Sequence, residues 1–241
     1  IGANNPEGNA VVQAAIDGSD LLAVMPTGAG KSLCFQLPAV VLPGVSLVVS
    51  PLISLMKDQV DELVRRGIGA IALHSMQSAE ERREALADVR SGRVRLLYVA
   101  PERLASQHFV NMLRDIPISR FVVDEAHCVS DWGHDFRPDY RRLAPVAELL
   151  RRSDGLPGRP PILAFTATAT PEVRDDITSL LDMHDPQVFV SGFDRPNIEL
   201  QVRPVSGDRE KRALLPELIG SRRALVYAST RKSAEDAAET L

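Results

Sequence analysis

The chain has only two cysteines in 241 residues. Cys34 and Cys128 are too few and too far apart for a disulfide framework or a zinc site, and both are expected as buried, reduced thiols. Long apolar runs are also missing: none approaches the roughly 18 residues of a membrane helix, and no stretch reads as a signal peptide. These absences predict a soluble, cytoplasmic protein with no membrane partner. Neither charge sign dominates, with 32 acidic against 28 basic residues, so any nucleic-acid contact must come from a local surface rather than from bulk charge. Aromatic residues make up 5% of the chain and there is a single Trp, so a cluster of them is informative. No Asn-Lys-x-Asp element occurs, which argues against a nucleotide-switch GTPase, and there is no internal repeat.

The sequence does contain an alternation of short apolar runs with helix-length amphipathic stretches. Strands are predicted at Leu21–Met25, Val45–Ser50, Ala70–Leu73, Val94–Val99, Arg120–Asp124 and Pro161–Phe165. Helices are predicted at Ser32–Val41, Leu52–Arg66, Ala79–Arg90, Glu102–Leu113, Pro138–Arg151 and Pro171–Leu181. Ser78-x-x-Glu81 is a capping box and Thr170-Pro171 places Pro at a first helical position. Strands rich in Val, Leu and Ile with helices between them predict an α/β fold with a doubly wound parallel sheet, in which ligands bind at the carboxyl ends of the strands. From about Val188 the pattern changes. A boundary near residues 192–205 divides 1–195 from 196–241, where strand Ile198–Val202, helix Arg209–Ile219, strand Ala224–Ala228 and a helix from Arg231 begin a second α/β domain. The chain starts at Ile1 and stops inside a helical pattern, so it is expected to be a fragment.

Met25-Pro26-Thr27-Gly28-Ala29-Gly30-Lys31-Ser32 lies between the first strand and the first of these helices. Strand, Gly-rich turn and Gly-Lys-Ser opening a helix is the context of a phosphate loop. Glycines let backbone N–H groups close on an anion, and the helix N-terminus adds its positive end. Lys31 would reach the β- and γ-phosphates and Ser32 would ligate Mg²⁺. Met25 stands where the pattern usually has its first Gly. An ordinary Gly-rich turn is the alternative.

Phe121-Val122-Val123-Asp124-Glu125-Ala126-His127 delivers two adjacent carboxylates to the same sheet edge. Asp124 would hold Mg²⁺, Glu125 would orient the attacking water, and His127 would sense the γ-phosphate or relay to its neighbours. Read alone, the pair is equally a solvated acidic turn. Phe165-Thr166-Ala167-Thr168-Ala169-Thr170 ends another strand; Thr166 and Thr168 could bond His127 or Asp124, while Thr170 suits an N-cap. Ser50, Pro51 and Ser54 lie at a strand-to-helix turn that suits a nucleic-acid phosphate, and Val99-Ala100-Pro101-Glu102-Arg103-Leu104 repeats that layout. Each of these turns alone is also a routine connection. The segment from Ser130 to Tyr140 holds Trp132, His134, Phe136 and Arg137 in a polar loop. Such aromatics suit base stacking, with His134 and Arg137 for phosphates, or else pin the loop to its domain.

Taken together and in order, these motifs, with Phe193-Asp194-Arg195-Pro196-Asn197 after them, resemble the RecQ family of superfamily 2 DNA helicases. Met-Pro-Thr-Gly at the phosphate loop is a family feature, and Val226 to Arg231 looks like the first motif of the family's second RecA-like domain. The resemblance implies a P-loop NTPase with a RecA-like first domain and the start of a second. It implies ATP and Mg²⁺ as cofactors, single-stranded or forked DNA as partner, 3′-to-5′ movement in repair or recombination, and a bacterial cytoplasmic or nucleoid location. It further implies that the loop 130–140 couples DNA binding to hydrolysis. The family's zinc-binding part and arginine fingers lie outside this stretch. Loss of an arginine finger costs about 10³–10⁵ in rate, roughly 4–7 kcal/mol of barrier, so the stretch alone is expected to bind nucleotide but hydrolyse slowly and unwind nothing. An RNA helicase of the same superfamily and a non-catalytic nucleic-acid-binding module are the alternatives.

The family's adenine-reading Phe-Arg-Pro-x-Gln element aligns with Asn4-Asn5-Pro6-Glu7-Gly8. Gly8 has no side chain to bond the base and Asn4 cannot stack on it. Weak discrimination between ATP and GTP is the expected outcome of a competition titration; a strong preference for ATP would contradict it.

Overall fold

The computed structural model describes residues 6–74, 77–133, 135–192 and 198–241. The chain divides into two compact units, Ile1–Phe193 and Asp194–Leu241. In chain order the first contains α1 (Pro6–Asp17), β1 (Leu21–Val24), α2 (Lys31–Val41), β2 (Val45–Val49), α3 (Ile53–Arg65), β3 (Ala70–Leu73), α4 (Ala79–Arg90) and β4 (Leu96–Val99). Then come α5 (Gln107–Leu113), β5 (Pro117–Val123), α6 (Leu143–Ala147), β6 (Arg151–Arg152), β7 (Ile162–Thr166), α7 (Pro171–Leu180) and β8 (Gln187–Val190). Among the described residues no helix is long and apolar enough to cross a membrane.

Among the described residues all the strand pairings are parallel. The sheet order is β3-β4-β2-β5-β7-β1-β8, with β6 beside the start of β5. Apolar side chains of successive strand residues point to opposite faces, so each central strand feeds two cores. Leu22 and Val24 of β1 join Leu47, Phe121, Val123 and Ala164 on the face covered by α4–α7. Leu21 and Ala23 join Val48, Val122, Leu163 and Phe165 on the face covered by α1–α3. Burial on both faces explains why these strands are nearly continuous apolar runs rather than alternating ones. The doubly wound parallel sheet expected from the sequence is the sheet observed.

Local signals place several helix starts. Ser78 and Glu81 form the reciprocal capping box at α4, and Thr170 accepts from the Val173 amide ahead of Pro171 at α7. Other expectations need correction. The helix expected over Glu102–Leu113 is a 3₁₀ turn, Pro101–Ala105, followed by α5, because Ser106 is extended and caps α5 through the Phe109 amide. The helix expected over Pro138–Arg151 is a 3₁₀ turn, Pro138–Arg142, followed by the five-residue α6, while Arg151 pairs with β5. Helix α1 was not expected, and β8 carries the first sheet up to Val190, where turn chemistry had suggested a change of pattern.

The second unit holds α8 (Asp208–Ile219) and α9 (Arg231–Thr240), joined by an Arg212–Asp236 ion pair. The strands expected at Ile198–Val202 and Ala224–Ala228 do not form. A parallel strand needs a neighbour for its ladder, and Leu200, Val202, Leu225 and Tyr227 stay exposed instead. The Phe193–Asn197 motif lies outside the described residues.

At the amino edge of the sheet, Asp20 ties the loops together. Its Oδ1 accepts from Arg159 (3.0 Å) and the Ile162 amide (2.8 Å), and its Oδ2 from Arg159 (2.6 Å) and the His184 amide (2.7 Å). Burial alone raises the Asp20 pKa, but the Arg159 guanidinium and these two amides outweigh it and hold the carboxyl below its ordinary value. Asp20→Ala would leave the buried Arg159 guanidinium with the more exposed Glu148 carboxylate, 3.2 Å away, as its remaining charge partner, and should cost up to about 3 kcal/mol in urea denaturation at pH 7. A folded pKa below the unfolded one means stability that is present above about pH 4 and lost as pH falls through the folded value. The acid limb of the stability profile should therefore flatten in the variant; an unchanged limb would contradict this.

Candidate nucleotide and nucleic-acid site

The carboxyl ends of β1, β2, β5 and β7 meet at one edge, and their ladders continue for one bond into the loops. The Met25 amide donates to the Thr166 carbonyl (3.0 Å), the Asp124 amide to Val49 (2.9 Å) and the Ser50 amide to Val99 (3.2 Å). The phosphate-loop pattern, the carboxylate pair, the Ser50 turn and the Thr166 segment, some 140 residues apart in sequence at the extremes, are thus joined by backbone hydrogen bonds.

Met25 is buried, Thr27 and Gly28 are exposed, and Pro26, Ala29, Gly30, Lys31 and Ser32 are half-buried. Gly28 (φ 84°) and Gly30 (φ 89°) take left-handed conformations that favour glycine. Gly30 is the N-cap of α2, so no side chain caps this helix start. The Lys31 ammonium donates to the Met25 carbonyl at 3.0 Å, across the mouth of the loop. An uncapped helix N-terminus, a lysine folded over it and a helix-start hydroxyl at Ser32 form a donor set suited to a polyphosphate. Gly8 is buried in α1, its carbonyl 3.9 Å from the Cys34 thiol at the back of α2. Asn4 and Asn5 lie outside the described residues.

Asp124 sits immediately after β5 and is buried. Its Oδ2 accepts from the Ser50 hydroxyl (3.2 Å), its Oδ1 from the Glu125 amide (3.0 Å) and its backbone carbonyl from the Tyr140 hydroxyl (3.0 Å). Burial first, then the Glu125 charge, push the Asp124 pKa up to about 6, against the Glu125 amide, Ser50 and Lys31. Such a carboxylate is costly to keep ionised until a cation arrives, which suits a Mg²⁺ ligand. Ser50 was expected at a nucleic-acid phosphate. It is fully buried with its hydroxyl on Asp124, so it serves the carboxylate instead.

Glu125 is left-handed at φ 48°, ψ 48°, a conformation costing a non-glycine residue about 1–2 kcal/mol. Its Oε2 lies 3.3 Å from His127 Nδ1, which is also 2.9 Å from Thr166 Oγ1. The Thr166 hydroxyl donates to the Thr168 carbonyl (3.1 Å), so its oxygen is left to accept, and Nδ1 of His127 carries the proton. Nε2 then faces the Cys128 thiol at 3.8 Å. Burial pushes the Cys34 thiol up to about 11 and the Cys128 thiol up to about 12, so both are protonated, inert thiols. A cleft of about 570 Å³ opens beside this cluster, lined by Pro51, Leu52, Glu125, His127, Asp135, Ala167 and Thr168.

The aromatic loop packs on the same cluster. A Cβ on Gly133 would lie 2.2 Å from the His127 carbonyl, so only glycine permits this approach. Ser130 is buried and donates to Asp176 of α7 (2.6 Å), while Arg137 reaches the Pro51 carbonyl (3.1 Å) and pairs with Asp135 (2.9 Å). Phe136 is half-buried beneath the Arg141 guanidinium, 5.3 Å from the ring centroid. Trp132 is 81% exposed, so it does not pin the loop. Ser54 and Thr168 are exposed, Pro51 half-buried and Thr166 buried; His134 lies outside the described residues. The sequence marks Ser130 and Tyr140 only as the ends of the aromatic loop and does not mark Asp176 at all, since the partners of all three are distant in sequence.

The family model for DEAD/DEAH box helicases matches residues 5–177. The chain is 42% identical over 231 residues to a probable ATP-dependent DNA helicase RecS of Bacillus subtilis, covering 95% of this chain and 45% of the relative. It is 44% identical over 221 residues to the ATP-dependent DNA helicase RecQ of the same organism, covering 90% and 36%. It thus spans less than half the length of these relatives. Among solved structures, the DUF1998 helicase MrfA bound to DNA and AMPPNP superposes with a TM-score of 0.69 at 19% identity, over 98% of this chain and 35% of that one. The Pyrococcus furiosus Hef helicase domain gives 0.57 at 21% identity, over 88% and 45%. At these identities the structures establish the fold.

The Asp124 pKa near 6 lies above the unfolded value of about 4, so the stability Asp124 contributes is full below pH 4 and lost as pH rises through 6. Asp124→Asn should therefore stabilise the chain by about 1–3 kcal/mol at pH 8, and by less at pH 5. Urea denaturation at the two pH values reads this, and equal gains at both would refute it.

Proposed function

Since the chain belongs to the DEAD/DEAH box helicase family, we propose that it forms the ATP-binding part of a RecQ-type DNA helicase. The whole protein would be an ATP hydrolase that moves 3′ to 5′ along single-stranded or forked DNA, working in repair and recombination in the bacterial cytoplasm or nucleoid. The observation that carries this reading is the meeting of an uncapped, lysine-bearing helix start with a buried carboxylate at one sheet edge, an aromatic loop packed behind them. The similarity to relatives named as DNA helicases supports DNA over RNA.

In this reading residues 25–32 bind the phosphates, with Lys31 contributing charge and Ser32 and Asp124 holding Mg²⁺. Bound Mg²⁺–ATP supplies the phosphoryl group to be transferred and the charge that neutralises it. Glu125 orients the attacking water, and His127, with its Nδ1 proton on Thr166, joins the carboxylates to the segment ending β7. Trp132 offers an exposed ring for base stacking, while Arg137, Pro51, Ser54 and Thr168 would line the strand's path and His134, outside the described residues, would add a phosphate contact. The 241 residues alone would bind nucleotide and strand but turn over slowly and unwind nothing, in keeping with a second unit whose described residues bury little besides Ala237.

One titration series tests this reading. Trp132 is the chain's only Trp, so its fluorescence should change on adding single-stranded DNA. Mg²⁺–ATP should bind the native chain, and Lys31→Ala should weaken that binding at least about tenfold, the loss of one charge-assisted contact. DNA binding that persists without any nucleotide binding would favour the non-catalytic module, and preferential binding of RNA strands would favour the RNA helicase.

A further inference from the structure

Tyr140 has no exposed surface, and its hydroxyl donates to the Asp124 carbonyl at 3.0 Å. That carbonyl belongs to the peptide joining Asp124 to Glu125. In a trans peptide the N–H points opposite to the C=O, and here the N–H of Glu125 donates back to Asp124 Oδ1 at 3.0 Å. Tyr140 on one side and the Asp124 carboxylate on the other thus clamp a single peptide plane. Glu125 enters this peptide in a left-handed conformation, with φ 48°. Turning the plane over, by opposite changes in ψ of 124 and φ of 125, would take Glu125 from its left-handed conformation to negative φ. The same turn would withdraw its N–H from the Asp124 carboxylate. The Tyr140 hydroxyl opposes that flip, since turning the peptide would also break its bond to the Asp124 carbonyl.

We propose that Tyr140 is a positioning residue for hydrolysis. Its hydroxyl locks the Asp124–Glu125 peptide and, through that peptide's N–H, sets the orientation of the Asp124 carboxylate. Tyr140 closes the aromatic loop, whose opening residue Ser130 is held by Asp176 of α7. The lock therefore ties the far end of the loop directly to the carboxylate pair. The hydrolytic consequence rests on the ATPase reading above, whereas the lock itself does not.

Tyr140→Phe keeps the buried ring and removes only the hydroxyl. In the intact protein it should lower kcat for ATP hydrolysis roughly tenfold, the equivalent of one lost hydrogen bond. KM for ATP should stay unchanged, while the Mg²⁺ concentration giving half-maximal rate should rise. Hydrogen exchange needs no activity: the Glu125 amide should exchange roughly tenfold faster, while amides inside β5 keep their protection. Faster exchange at Glu125 in a protein whose native form never hydrolyses ATP would remove the ATPase reading and uphold the lock. Native-level exchange and turnover in the variant would overturn the lock and leave the ATPase reading intact. Loss of protection throughout β5 would also overturn it, since the hydroxyl would then support the fold rather than one peptide.

Discussion

A carboxylate held out of water at the tip of a strand buried on both faces is the constraint on which the first unit depends. β5 lies between β2 and β7, so whatever follows Val123 emerges at the middle of the sheet's carboxyl edge. Putting Asp124 there costs desolvation, visible in a pKa near 6. The fold offsets part of that cost with the Ser50 hydroxyl and the Glu125 amide, since hydrogen bonds to a charged group contribute about 1.5–3 kcal/mol each. In the function proposed for this edge, a bound cation would offset the residual cost.

Local strain belongs to the same arrangement. A left-handed Glu125 is unfavourable by about 1–2 kcal/mol, comparable to the 0.5–1.5 kcal/mol of one ordinary hydrogen bond. It persists because its neighbours are over-determined. The Asp124 amide is in the β2 ladder, the Cys128 amide bonds the Glu125 carbonyl, and His127 is held by Thr166. Strain held in place by surrounding contacts is common where side chains must be presented for chemistry. At the opposite edge, the Asp20 carboxylate takes four donors, two from Arg159 and the amides of Ile162 and His184, which hold its charge without comparable strain.

The loop from Ser130 to Tyr140 divides its labour by burial. Ser130 and Tyr140 are buried and Gly133 sits against the His127 carbonyl, whereas Trp132 projects into solvent. An exposed ring is thus carried on a loop anchored to His127 and the Asp124–Glu125 pair. That is the geometry by which strand contact and nucleotide state could bias one another, given a two-state element between them.

Much of this was legible in the sequence because its causes are local. Apolar runs bounded by turns marked β1, β2, β3 and the ends of β5 and β7; Ser78 with Glu81, and Thr170 with Pro171, marked the helix starts; Gly28, Gly30 and Lys31 marked an anion cradle through backbone freedom and charge. Asp124 and Glu125 were readable as a pair because an apolar strand must end somewhere and carboxylates stop it. What required the tertiary structure were the partners. The sheet order, Ser50 turning inward to Asp124, the Nδ1 tautomer of His127 and the Tyr140 clamp all depend on contacts between residues far apart in sequence. The same reasoning explains the failed strands at Ile198–Val202 and Ala224–Ala228: their composition favours extension, but a strand exists only when a neighbour completes its ladder. Sequence by itself determined which residues could do the chemistry; tertiary structure decided which of them meet, because hydrogen bonds and burial are properties of pairs.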